Sequence, residues 1–305
     1  MLSDKESEQV FESLIASPYS YLMTNRNLHT DRSALEQRRK RACLTEADFA
    51  HAAAIDEVQY RLDLVKRAFT KPLLISDQNE LWSGAFPSFD QIDDQETLAC
   101  KPQSHDLVLH AMSLHWANDI VGQLIQARNA LKPDGLFIGC MFGGNTLQEL
   151  RKSLSEAEIV LTGGLSPRVA MTGEIRDLGQ LMQRAGFALP VADKITLTAS
   201  YESIFHLAHD LRRMGETNAL ALRKRKFEQR ELFRLGDEVY KEHFSDDAGR
   251  IVATFEIVFL TGWTPHESQQ KPLRPGSAQS RLADALKTNE IRLPETDTFT
   301  KNGDD

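Results

Sequence analysis

Between Ser104 and Gly144 the spacing of apolar positions changes twice. Asp106 to Met112 is an apolar run of strand length, the pattern of a parallel strand buried on both faces. Asp119 to Leu131 then places Ile120, Leu124, Ile125, Ala127, Ala130 and Leu131 at helical spacing, with Asn118 or Asp119 as N-cap. Lys132-Pro133-Asp134-Gly135 ends that helix, since proline cannot continue it and glycine accepts positive φ. Leu136 to Phe142 is a second apolar strand, closing on Gly143-Gly144. Strand, helix and strand in this order predict a right-handed βαβ unit, and hence a parallel sheet covered by helices.

The flanking chain carries the same alternation. A short helix is expected from Lys5 to Ala16, and a long one from Glu46 to Phe69, striped by Ile55, Val58, Leu62, Val65 and Phe69. Pro72 to Ile75 reads as a buried strand. After Gly144, helices are expected over Asn145–Glu158 and over Thr172–Ala185, the latter capped by Thr172 and stopped by Gly186. Phe187–Leu197 and Arg250–Trp263 read as strands, with a helical stretch rich in Arg and Lys over Tyr201–Phe244. Past Lys287 the chain is polar and acidic, a composition that predicts disorder.

Composition removes several function classes. The 305 residues carry a formal net charge of −8, which argues against a general nucleic-acid binder. Cys43, Cys100 and Cys140 show no C-x-x-C spacing, so neither a zinc site nor a disulfide framework is implied. No run of ~18 apolar residues predicts a membrane span. The first twenty residues are acidic, unlike a signal or transit peptide, and the expected location is the cytoplasm of a bacterium.

Candidate chemistry sits mainly at one place. His115 and Trp116 follow the first strand of the βαβ unit, at the carboxyl edge where α/β sheets hold ligands. His206 and His209 have the i, i+3 spacing of metal ligands but lack a third partner, so no metal is expected. No G-x-S-x-G elbow surrounds Ser113. Arg212-Arg213 and Arg223-Lys224-Arg225-Lys226 are interspersed with Glu216, Glu228 and Glu231, the pattern of a solvated helix face.

Three blocks in order carry a family resemblance: His-Asp-Leu-Val at 105–108, SLHWAND at 113–119 and LKPDG at 131–135. Together they resemble strand 4, helix D and strand 5 of the class I S-adenosylmethionine (SAM) methyltransferases. More narrowly, SLHWAND followed by MFGGNTLQELR at 141–151 resembles the branch holding the respiratory complex I assembly factor of methyltransferase fold; the malonyl-carrier-protein methyltransferases are more distant. The resemblance implies an α/β Rossmann-like sheet with helices on both faces and an antiparallel closing hairpin; this chain departs from it in a truncated strand 2 region. It further implies an N-terminal helical and basic segment (1–45), a methyltransferase-like domain (46–285) with a helical lid (201–247), and a tail (286–305).

SAM is the cofactor the resemblance implies, with Asp94, Ser113 and Leu114 in its site and Asp94 at the adenine amino group. The chain departs from the family at the loop after Ile75. Leu74 falls where the family has its acid, and Ser76, Gln78 and Glu80 fall where it has glycines that let the backbone approach the cofactor. Glu80 is expected to set bulk and negative charge beside the cofactor carboxylate. Only Leu81 to Asp93 fill a stretch that ordinarily takes about 40 residues of helix, strand and loop. No strand there presents the usual ribose-binding acid convincingly; Asp90 is the nearest substitute. By the same resemblance Arg38, Arg39, Arg41, Arg168 and Arg274 are candidate contacts to a protein partner or substrate, with Arg274 in the Pro272–Ala278 strip. Two functions follow: a non-catalytic or weakly cofactor-binding assembly factor, or an active SAM-dependent methyltransferase with an atypical loop.

Overall fold

The computed structural model describes residues 28–43, 48–77, 79–270, 284 and 287–288. The chain divides into two compact units, residues 1–266 and 267–305, and every element below lies in the first. The elements run α1 (Arg32–Arg39), α2 (Phe49–Val65), β1 (Pro72–Ile75), α3 (Asn79–Ala85), β2 (Asp90–Ile92) and β3 (His105–Ala111). Then come a 3-10 turn (Leu114–Trp116), α4 (Ile120–Ala130), β4 (Leu131–Phe142), α5 (Gln148–Thr162) and α6 (Ile175–Arg184). The unit closes with β5 (Ala188–Tyr201), α7 (Ile204–Arg213), α8 (Arg230–His243) and β6 (Ile251–Trp263).

The sheet order is β2-β1-β3-β4-β6-β5. The first four strands are parallel, with Leu73 opposite Val108 and Val108 opposite Phe137; β6 is antiparallel to both β4 and β5. This is a Rossmann-like α/β sheet with the expected closing hairpin. Period-2 alternation sends Leu107, Leu109, Leu136, Ile138 and Cys140 into one core cluster, and Val108, Phe137 and Met141 into another. Residues of α2, α3, α5, α7 and α8 cover the first face, and those of α4 and α6 the second. Asp119 caps α4, its carboxylate accepting from Gly122 N at 2.8 Å.

The shortened stretch after β1 is built rather than missing. It holds α3, whose Trp82 is fully buried, and β2, three residues paired parallel with β1. Asp90 lies at the amino end of β2 with its side chain 61% exposed, away from the carboxyl edge, so it does not supply a ribose contact there. Three other expectations are corrected. α6 begins at Ile175 after Glu174, not at a Thr172 cap. The basic run Arg223–Lys226 is loop, because Leu222 and Phe227 on either side are exposed and leave no apolar stripe for a helix to bury. Tyr201 ends β5 instead of opening the lid helices. The short helix expected over Lys5–Ala16 and the tail past residue 288 lie outside the described residues.

Candidate functional site at the carboxyl edge of the sheet

Four strand ends converge here. Asp77 follows β1, Asp94 follows β2, His115 and Trp116 follow β3, and Gly143-Gly144 follow β4. Asp77 Oδ1 accepts from Asp94 N at 2.9 Å, so the loops after β1 and β2 are tied to each other. Met112, leaving β3, is held at φ +47°, a conformation that costs a non-glycine residue free energy and turns Ser113-Leu114-His115-Trp116 across the edge.

Helix α1 closes over this edge and supplies two guanidinium groups. Arg32 Nη1 donates to Asp94 Oδ2 at 2.9 Å, and its Nη2 donates to the Asp94 carbonyl. Arg39 Nη1 donates to Asp77 Oδ2 and lies 4.0 Å from Asp94 Oδ2. Arg39 Nη2 is 3.7 Å from Glu216 Oε1. Glu216 comes from the segment after α7. Its Oε2 accepts from Trp116 Nε1 at 2.7 Å and from His115 Nε2 at 3.0 Å; a carboxylate only accepts, so that ring nitrogen carries the proton. The side chains of Asp94, His115, Arg39 and Glu216 are 0–6% exposed. The carboxyl-edge position pointed to His115 and Trp116, and the family resemblance to Asp94 and Arg39; neither marked Glu216, about a hundred residues from His115 and Trp116.

Lid and N-terminal segment hold each other in place. Asp31 caps α1 through Ala34 N and pairs with Arg223 and Arg225 of the lid loop, at 2.9 and 3.2 Å. Thr30 bridges Leu220, and Asn118 of the SLHWAND block clamps Thr30 through both its side-chain groups.

The remaining candidates separate from this cluster. Leu74 is a core residue of β1, and Ser76 is fully buried, its N–H donating to the Ile92 carbonyl. Glu80 stands exposed on the first turn of α3, so it does not bury negative charge at the edge as expected. Ser113 and Leu114 are buried, Ser113 Oγ lying 3.2 Å from His110 Nδ1. Arg38 is half-buried and Arg41 exposed. Arg168 is committed elsewhere, to Glu158 and Glu228. Gln78 and Arg274 lie outside the described residues, and no metal-holding group occurs among the described residues.

Burial pushes the His110 ring down to about 4, with the Asp94 charge opposing it, and pushes His51 of α2 down to about 4 in the same way. Both rings therefore sit below the ordinary 6.5 in the folded chain. Between pH 6.5 and 4 the unfolded chain binds protons that the folded rings refuse, so stability falls as pH falls through that window. The slope is up to about 1.4 kcal/mol per pH unit for each ring. Urea unfolding of a His110→Gln variant at pH 6.5, 5.5 and 4.5 is expected to show a slope shallower than the wild type's by up to about 1.4 kcal/mol per pH unit; an unchanged slope would place His110 in contact with water.

Against this geometry the known proteins can be compared. The Danio rerio mitochondrial arginine-hydroxylase NDUFAF5 is 36% identical over 230 residues, covering 75% of this chain and 71% of the relative. The chain belongs to the NDUFAF5 family. The human NDUFAF5 is 39% identical over 208 residues, 68% of this chain and 60% of that protein, while only 43% of the Dictyostelium discoideum NDUFAF5 is covered. A malonyl-[acyl-carrier protein] O-methyltransferase of Nitrosospira multiformis is 29% identical over 172 residues, 56% of this chain and 53% of that protein. No family profile matches. Among solved structures, the Bacillus subtilis YcgJ protein aligns at 11% identity with TM-score 0.41, over 66% of this chain and 94% of that one. Of Arg32, Arg38, Arg39 and Arg41, Arg32 and Arg39 are the ones that reach the strand ends. No helix of the described residues is long and apolar enough to cross a membrane.

Proposed function

We propose that this chain is an interaction factor of the NDUFAF5 type, engaging a protein partner at the carboxyl edge of its sheet without transferring a methyl group from SAM. The observation that carries this reading is the closure of the crevice beyond β1 and β2 by Arg32 and Arg39, paired with Asp94 and Asp77. Ligands of this fold lie in that crevice, with a glycine loop admitting them. Here Asp77, Ser76 and α3 stand in place of the glycine loop, and the carboxylates a cofactor would meet are taken by internal cations. The residues present do not fit SAM. The relatives are named for hydroxylating arginine, and the corresponding partner for this chain presents an arginine side chain.

A second reading, an active SAM-dependent methyltransferase, is favoured by one observation. Ser113, Leu114, His115 and Trp116 are all buried together at the end of β3, as a reaction centre requires. Calorimetric titration with SAM and S-adenosylhomocysteine separates the two. The expected result is no binding tighter than ~100 μM, corresponding to about −5.5 kcal/mol; tighter binding overturns the proposed function in favour of the second reading.

A further inference from the structure

We propose that Asp77, Asp94 and Glu216 form a guanidinium-binding cage, filled in cis by Arg39, which an arginine side chain from another protein enters when α1 lifts. The inference deepens the proposed function and rests on it. Three carboxylates from three separate segments surround one guanidinium: Asp77 bonded to Arg39 Nη1, Asp94 at 4.0 Å and Glu216 at 3.7 Å. Arg32 adds a second cation on the Asp94 side.

The cis occupant uses the cage poorly. Arg39 Nε and Nη2 have no hydrogen-bond partner among the described residues, and neither do the acceptors Asp94 Oδ1 and Glu216 Oε1. Arg39 Nη2 and Glu216 Oε1, a donor and an acceptor of matching chemistry, thus stand buried 3.7 Å apart without bonding, because Arg39 enters the cage at an angle set by its own helix. A guanidinium arriving on an independent chain is free to orient its planar fork against these carboxylates in the paired geometry arginine favours. An unmet buried donor or acceptor is costly, so an occupant that satisfies more of them displaces one that satisfies fewer.

The helix carrying Arg39 is also lightly held. Its fully buried apolar contact is Leu35, in a small cluster with Trp116, Ala219 and Leu220 that is separate from the two main cores. Its other ties are polar: Arg32 and Arg39 to the carboxylates of the edge, the Asp31 pairs to Arg223 and Arg225, the Asp31 N–H to the Ala219 carbonyl at 2.8 Å, and the Cys43 N–H to the Arg213 carbonyl at 2.7 Å. Segments with few apolar contacts open at lower free energy than core elements. The same lid loop that supplies Glu216 also grips α1, so lifting α1 exposes the cage without dismantling it.

The test uses Nα-acetyl-arginine N-methylamide and its lysine counterpart as probes of the full chain by calorimetry. Arg39→Ala is expected to bind the arginine probe at least tenfold more tightly than the wild type, and at least tenfold more tightly than it binds the lysine probe. Asp31→Ala leaves the cage and Arg39 intact and only loosens α1; it is expected to bind the arginine probe more tightly than the wild type and to show faster amide exchange over Arg32–Arg39. A folded Arg39→Ala chain that binds arginine no better than the wild type, or no better than lysine, overturns the proposal. Should Arg39→Ala not fold, unchanged affinity in Asp31→Ala overturns it. SAM heat from the unaltered chain overturns the proposed function instead, so the two failures are distinguishable.

Discussion

Replacing Glu216 by alanine is expected to lower the free energy of unfolding by about 3–5 kcal/mol at pH 7, the usual cost of removing one partner from a buried charge cluster. The side chain is 6% exposed and receives two hydrogen bonds on one oxygen while facing Arg39 with the other. The alanine variant strands the Trp116 and His115 donors and leaves the Arg39 charge with one carboxylate fewer. Burial alone would push the Glu216 carboxyl up, but His115, Arg39 and the Trp116 N–H together hold it down to about 2. A carboxylate held below its ordinary 4.5 stabilises the fold fully above that pH, and the contribution is lost as pH falls toward 2. The gap between wild type and Glu216→Ala should therefore be widest above pH 4.5 and close on acidification. Urea unfolding at pH 7, 4 and 2.5 reads this directly; a cost below ~1 kcal/mol at pH 7 would mean that water reaches the cluster.

The sheet was legible because its signals are local. Asp106–Met112 and Leu136–Phe142 are apolar runs bounded by polar turns, and they appear as β3 and the paired part of β4. Asp119 and Gly186 act within a few residues of their own position, one capping α4 and the other turning at φ +83°. The candidate site was legible only in part, since its groups meet through the fold. The family resemblance singled out Arg38, Arg39 and Arg41 alike; the helical phase of α1 buries Arg39 and leaves Arg38 half-buried, while Arg41 lies past the end of the helix in solvent. Nothing local marks Glu216, which reaches His115 only because the lid folds back over the edge. Glu80 was misread because a one-for-one match to a glycine loop assumes that the loop persists, whereas the chain enters a helix at Asn79. The lid misled for a similar reason: a run of Arg and Lys is compatible with a helix, but without an apolar stripe it ties itself by ion pairs to Asp31 and Glu158 instead.

Substituting Trp82 by alanine should cost about 3–5 kcal/mol, as large aromatic truncations in a core do. The indole is fully buried in the cluster beneath α2 and stacks on Phe86 with ring centroids 6.0 Å apart. Its Nε1 donates to His51 Nδ1 at 3.0 Å. That bond requires the His51 acceptor nitrogen to be bare, in keeping with a ring that burial holds neutral down to about pH 4. Trp82→Phe retains most of the apolar volume and loses the hydrogen bond, so a smaller loss of roughly 1–3 kcal/mol is expected from the unpaired imidazole. The position decides what the shortened stretch is. Trp82 lies five residues after Asp77, on the helix that follows directly from the loop where a glycine-rich turn would otherwise admit a ligand. If both variants unfold at nearly the wild-type urea midpoint, α3 is a loose remnant and the loop before it is free to rearrange around a cofactor. If alanine is costly and phenylalanine intermediate, the indole fixes α3, α3 fixes Asp77, and the carboxylates of this edge are held in place for something other than SAM.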